Sequence, residues 1–262
     1  FSNRGGGGDI ADGLIDIVKF LEIVEHIKPQ YWAMENVPRV AGILEKELSS
    51  GGSLYKYRHL LSSINVFDLS EFGVPQKRKR MIAGNFPIEL LNEYSKSVKV
   101  PQYSIGDVIS GLASRRPKDM LFGLSLPRGK LTDHEVEEPL NKEELRMNHD
   151  AKRYHTVYNK MAFPDMMNRP SRTITATCTR VSRESIVIED PAVPNTFRRL
   201  TIREKASLQG FPITFQFYGG SYSERQKMVG NAIPPVFTYL IANSMKGISA
   251  ENLPSLSDVS QN

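Results

Sequence analysis

Residues 31–38 read YWAMENVP. The stretch opens on aromatic and apolar side chains and closes on polar ones. Before it, IADGLIDIVKFLEIVEHIKP (10–29) carries Ile15, Val18, Leu21, Ile23, Val24 and Ile27 at helical spacing, and Pro29 closes the run. After it, VAGILEKELSS (40–50) predicts a second helix, ended by the glycine pair 51–52. A short apolar run between two helices predicts a buried parallel strand. Two further strand-like pieces follow, around Tyr57–Asn65 and Arg80–Asn85. Helix and strand thus alternate over the first ~90 residues, which predicts an α/β sheet.

Past about Pro87 the periodicity fades. ASRRPKDMLFGLSLPRGKLTDHEVEEPL (113–140) is rich in proline, glycine and charge, and predicts a separate small domain or a long insertion. PSRTITATCTRVSRESIVIED (170–190) alternates Thr, Ile and Val and predicts strands. In TIREKASLQGFP (201–212), Thr201 and Glu204 have the spacing of a helix-capping box. PPVFTYLIANSMKGI (234–248) predicts a closing helix with Pro235 in its first turn, followed by a loose tail from Ser249.

The 262 residues suffice for one large domain with a smaller one attached. No run of eighteen apolar residues exists, so no membrane-spanning helix is expected. Cys178 is the sole cysteine, which leaves no disulfide framework and no cysteine-based metal site, and suits a reducing cytoplasm. The net charge of +5 leans toward anionic partners. Two basic blocks, Lys77 to Arg80 and Arg198, Arg199 with Arg203, read either as solvated surface or as contacts to such a partner.

Four short motifs carry chemistry. Glu35 sits at the carboxyl end of the first strand, the edge where open α/β sheets bind ligands. Half buried by Trp32 and Met34, its carboxyl would keep a proton and could donate it to a ring nitrogen. The plainer reading is an ion pair or a helix cap. In PQKRKR (75–80), Gln76, Arg78 and Arg80 alternate and would share one strand face, with two guanidiniums suited to phosphates or a carbonyl oxygen. The plainer reading there is a solvated basic edge. In VGNAIPP (229–235), Gly230 would permit a tight turn and Asn231 would cap the next helix. NRPSRTITA (168–176) sets Arg169 and Arg172 about a proline just before a strand.

Each motif is weak alone, but their order is informative. FS (1–2), ENV (35–37), QKRKR (76–80), RPSRTITA (169–176), RRLTIREKASLQGFP (198–212) and GNAIPP (230–235) together resemble the motif series of the cytosine-C5 DNA methyltransferases. The resemblance runs from Phe1 to about Met245. It implies part of a Rossmann-like, S-adenosylmethionine-dependent α/β methyltransferase domain, with a smaller β-rich target-recognition domain. The boundaries that follow are 1–90 for the catalytic part, 91–195 for target recognition, 196–248 for the return to the catalytic domain, and 249–262 for the tail. It also implies a double-stranded DNA substrate, a flipped cytosine, a cytoplasmic protein without metal, and a restriction-modification role. Glu35 would hold cytosine N3, Arg80 would contact O2, and Arg78 would be its companion near the reacting nucleotide. Asn36 would steady the loop, and Asn231 would pack against the methionine part of the cofactor. Ser2 and Arg4, in the glycine-rich loop, would contact DNA phosphate, and the glycines would let that loop swing over DNA. Gln76, Pro170, Thr173 and Thr175 would be structural.

The chain also departs from the family. The nucleophilic cysteine of Pro-Cys-Gln would lie three residues before Phe1, and the glycine-rich cofactor motif has no counterpart. Cys178, in TATCTR (175–180), is expected to be a plain, partly buried thiol. An arginine that the family often places shortly after the catalytic loop is replaced by ADGLID (11–16). The expectation is therefore a chain inactive by itself. It would be the larger piece of a single-chain, monomeric enzyme or, alternatively, a DNA-binding subunit completed in trans. A tRNA substrate suits the long variable region less well than duplex DNA does.

Overall fold

A computed structural model describes residues 10–97, 102–135, 137–154 and 161–259. In chain order its elements are α1 (Ile10–Ile27), β1 (Trp32–Asn36), α2 (Val40–Leu48), β2 (Ser63–Asp68), β3 (Lys79–Asn85), α3 (Ile88–Ser97), α4 (Ile105–Ala113), α5 (Lys142–Arg153), β4 (Val187–Glu189), β5 (Phe197–Arg199), α6 (Ile202–Leu208), α7 (Tyr222–Asn231), α8 (Pro235–Met245) and α9 (Leu256–Val259). They divide into two units. The first draws on 1–69, 79–98 and 239–253, the second on 70–78, 99–238 and 254–262. The segment 196–238 lies in the second unit, and the later part of α8 lies in the first.

In the first unit β3 is the central strand, flanked by β1 and β2, and both flanking strands run antiparallel to it. This corrects the parallel pairing expected of residues 31–38. An apolar run announces burial but not direction, and here the neighbour supplied by the chain is β3. Only Trp32 of β1 is fully buried. Alternation puts Trp32 and Met34 on one face of the sheet, with Met81, Ala83 and Ile64. Those residues pack under α1 and α2 with Ile17, Leu21, Val24, Val40 and Leu44. Leu21 and Leu44 are completely buried, each contributing roughly 2 kcal/mol by removal of apolar area from water. The buried stripe of α1 is Ile17, Leu21 and Val24, whereas Ile15 and Ile23 are 52% and 56% exposed. Tyr57 is buried, but in a 3-10 turn (Tyr55–Leu60), so the expected second strand begins only at Ser63.

The second unit is built on α4 against α6. Ile105, Val108, Ile109 and Leu112 meet Ile202, Ala206 and Leu208, with Ile174, Ile186, Ile188, Leu200, Phe211 and Phe217 filling in. Three helices start on reciprocal capping boxes: Ser104 with Asp107, Asn141 with Glu144, and Thr201 with Glu204 as the sequence indicated. The β-rich character expected of this region is not found among the described residues, where β4–β5 is a single three-residue antiparallel pair. Much of 170–186 is irregular. Thr175 bonds locally there, its Oγ1 donating to Thr177 O at 2.8 Å.

Candidate active site

The antiparallel register builds the first part of the site. Glu35 lies opposite Ile82, and Arg80, two residues before Ile82, shares its face. Such diagonal neighbours are about 7–8 Å apart at the backbone, within reach of long side chains. Arg80 Nε closes the gap, 2.7 Å from Glu35 Oε1, with the two side chains 13% and 19% exposed. Burial lowers the Arg80 pKa, and the Glu35 carboxylate opposes that shift. Arg80 Nη1 also donates to Lys79 O at 2.7 Å. Trp32 and Met34 project from the opposite face of β1. They do not shelter Glu35 as the sequence suggested, and its immediate neighbour is a cation. Asn36 Oδ1 accepts from Val37 N at 2.9 Å, fixing the turn that leads into α2.

Arg78 does not continue the face of Arg80, because β3 starts only at Lys79. It lies in the second unit, 1% exposed. There Nη1 donates to Ile174 O at 3.0 Å, and Nη2 to Gly230 O at 2.8 Å and Ala232 O at 3.1 Å. Gln76 sits in an isolated parallel bridge with Ser171. Its Oε1 accepts from Ile174 N at 3.2 Å, and its Nε2 donates to Gln209 Oε1 at 3.3 Å. Gln209 in turn donates to Val229 O at 2.6 Å and Ala232 O at 2.7 Å. The segments 76–78, 171–174, 209 and 229–232 are thus clamped by side chains that satisfy backbone groups, as buried carbonyls require.

Gly230 makes no turn. It is the penultimate residue of α7, and a Cβ there would stand 2.3 Å from Ala176 N. It is a point of close backbone approach. Asn231 ends α7 instead of capping α8. It is exposed, and its side chain makes no hydrogen bond among the described residues. Thr173 Oγ1 donates to Lys77 O at 2.7 Å. Arg172 holds Asp165 through Nε at 2.6 Å, beside an open cavity of about 230 Å³ also lined by Arg169 and Pro170. Ser2 and Arg4 lie outside the described residues. Cys178 is half-buried, with Lys205 Nζ 3.7 Å away. Among the described residues there is no group of three His, Cys, Asp or Glu side chains placed to hold a metal, and no helix long and apolar enough to cross a membrane.

The second basic block is not solvated surface. Arg198 forks onto Glu204 at 2.8 Å through both Nη atoms, Arg199 Nη2 reaches Glu137 at 2.7 Å, and Arg203 meets Asp133 with both side chains 0% exposed. The carboxylate partners at 133 and 137 lie more than sixty positions away in sequence. No local pattern announces such pairings.

The family model described as C-5 cytosine-specific DNA methylase matches residues 1–247. Type II methyltransferase M.Bpa9945I of Bacillus paralicheniformis is 26% identical over 87% of this chain and 62% of its own length. Type II methyltransferase M.AplI of Arthrospira platensis is 28% identical over 95% of this chain and 65% of its own. The chain thus spans a little under two thirds of the length of these relatives. Among solved structures, the S. pombe Dnmt2 methyltransferase superposes with a TM-score of 0.56 at 18% identity, covering 88% of this chain and 72% of that one. A putative DNA modification methyltransferase of an E. coli prophage gives 0.54 at 17% identity, over 87% and 72%. These two share the fold. With the family match running across nearly the whole chain, the chain belongs to the C-5 cytosine-specific DNA methylase family.

Proposed function

We propose that this chain carries the base-holding part of a DNA cytosine-5 methyltransferase that acts on duplex DNA in restriction-modification. The observation that supports the reading is the Glu35–Arg80 pair, half-buried on one face of the sheet. Cytosine presents O2 beside N3 and its exocyclic amino group. A guanidinium can donate to O2, while a carboxyl accepts from the amino group and donates to N3. The pair has the same order: one cationic donor next to one carboxyl. When O2 takes the guanidinium, Glu35 loses its cation and can hold the proton at N3. Positive character at N3 offsets negative charge that develops in the ring during attack at C6. Arg78 acts here as a positioning residue, since its bonds go to backbone carbonyls.

The methyl donor is S-adenosylmethionine, which supplies an activated methyl group when bound. Asn231, exposed and without an internal partner, fits the polar amino-acid end of that molecule. The remainder of a cofactor cradle, a glycine-rich loop after a strand and the acidic strand ends beyond it, has no counterpart in these 262 residues.

The attacking thiolate is not assigned to Cys178, which stands in TATCTR and not in a Pro-Cys-Gln element. The chain alone therefore leaves DNA unmethylated. A chain extended upstream by a segment that carries both the glycine-rich cofactor motif with its acidic strand ends and the Pro-Cys-Gln element methylates cytosine in a host otherwise free of the mark, read by bisulfite sequencing. Formation of 5-methylcytosine by 1–262 alone would sink this assignment. So would an extended, folded chain that leaves every cytosine unmodified.

A further inference from the structure

Among the described residues, the arginines that are not fully exposed have partners, with one exception. Arg39 is half-buried, its Nε and Nη2 are shut off from solvent, and neither has a hydrogen-bond partner. No ion pair compensates it. A guanidinium edge pressed into a protein without an acceptor is costly, by about 1–3 kcal/mol per unsatisfied polar group and more for a charged one. Its position adds to the cost. Arg39 is the N-cap residue of α2, makes no side-chain cap bond, and the first turn of the helix contains no acidic residue. Cations are disfavoured at the positive end of a helix. Nothing structural explains a cation there.

The surroundings suit an anion. Gly42, in the first turn of α2, is exposed, and a Cβ built on it would meet nothing within 4 Å. The surface beside that turn is therefore open to approach; the amides of Val40 and Ala41 donate to Val37 O at 3.0 Å and Pro38 O at 3.1 Å, so the anion would meet the helix dipole and the Arg39 guanidinium. Glu35 is four residues upstream, so at most about 14 Å of backbone separates the two. Asn36 fixes the intervening turn.

We propose that the Arg39 guanidinium, at the start of α2, binds a backbone phosphate of the DNA strand whose cytosine is held by Glu35. This rests on the functional reading above and adds a phosphate contact to it. A base seated at Glu35 carries its own phosphate within one nucleotide's length, and a fork of fixed donors matches phosphate oxygens. The absence of an internal partner then has a purpose: the acceptor arrives with the substrate, and the charge is held uncompensated until it does.

The test uses chain 1–262 as wild type, Arg39→Met and Arg39→Lys. Three readouts are taken: thermal midpoint, the shift of that midpoint by inorganic phosphate against chloride at equal ionic strength, and the salt dependence of affinity for a fluorescent duplex. Arg39→Met should melt at the same temperature as wild type or higher, because an unpaired charge is removed. Its phosphate-induced shift should shrink, and the slope of log affinity against log salt should fall by about one. Arg39→Lys should retain most of the shift and the slope, and it guards against a methionine variant that fails to fold. A lower midpoint for Arg39→Met with an unchanged phosphate shift would overturn the proposal, and would assign Arg39 to an acidic side chain of the protein. An unchanged slope in a chain that binds duplex would also overturn it, while leaving the functional reading intact. A wild-type chain that binds no duplex at any salt would overturn that reading, and the DNA phosphate contact with it.

Discussion

Asp133→Ala is the sharpest test of what holds the second unit together. Asp133 and Arg203 are both fully buried. The carboxylate accepts from Arg203 Nε at 3.0 Å and Nη2 at 2.5 Å, and also from Phe217 N at 3.0 Å. Arg203 further donates to Pro212 O at 3.3 Å and Phe215 O at 2.5 Å. Removing the carboxylate leaves a guanidinium in the interior without its counter-charge, a loss of about 3–5 kcal/mol. The orphaned Phe217 amide adds about 1 kcal/mol. A domain is stable by only about 5–15 kcal/mol, so the variant should stand near the edge of folding. At about 2–4 °C per kcal/mol, the midpoint of a domain this size should drop by roughly 8–24 °C. Urea titration followed by circular dichroism measures the loss. The double variant Asp133→Leu with Arg203→Met should recover most of it, because a volume-matched apolar pair dispenses with the desolvation of two ions. A single-variant loss under about 1 kcal/mol, or a double variant as unstable as the sum of its singles, would refute the reasoning.

Two further changes report on other buried features. Burial pushes the Lys152 ammonium from its ordinary 10.5 down to about 8. The unfolded chain then holds more protons than the folded one between those values, so stability should rise with pH across that window, by up to about 1.4 kcal/mol per pH unit. Lys152→Met should flatten that rise in thermal melts taken from pH 7 to 10, and an unchanged slope would show that the residue is not the source. Gly230→Ala would bring a Cβ to 2.3 Å from Ala176 N and 2.4 Å from its Cα, against backbone that cannot rotate aside. A loss of about 1–3 kcal/mol or more is expected by chemical denaturation, whereas a neutral substitution would mean that α7 is not seated there.

The sequence made the local features legible. The α1 and α2 helices, the strand at 80–85, the Thr201–Glu204 box and Pro235 at the start of α8 all rest on signals within four or five residues. Motif order then carried the family. What stayed hidden depends on contacts distant in sequence. Strand direction at 32–36 is set by the pairing of β1 with β3, which no apolar run encodes. Arg78 and Arg80, two residues apart, fall in different environments because the strand begins between them. The basic cluster at 198–203 looked like surface because its acids lie near 135 and its remaining partner, Glu204, was already accounted for as a cap. Gly230 and Asn231 were read as turn and cap, but α7 runs through them and Ala176 backs onto the glycine. Of the proposed base-holding pair, each member was legible singly. Their contact was not, because it needs the register that sets Glu35 opposite Ile82.

The central claim is that Glu35 acts on the base during reaction and is not merely the ion-pair partner of Arg80. The direct measurement compares wild type with Glu35→Gln in the upstream-completed chain, scoring methyl transfer from labelled cofactor and duplex affinity on the same preparations. Glutamine keeps the shape and can still accept from the amino group, but it has no proton to share with N3. Turnover should fall by about 10²–10⁴, the usual contribution of a positioned acid, while duplex affinity stays close to that of wild type because the work is done in the transition state. Equal losses in turnover and affinity, or a variant that turns over like wild type, would contradict it.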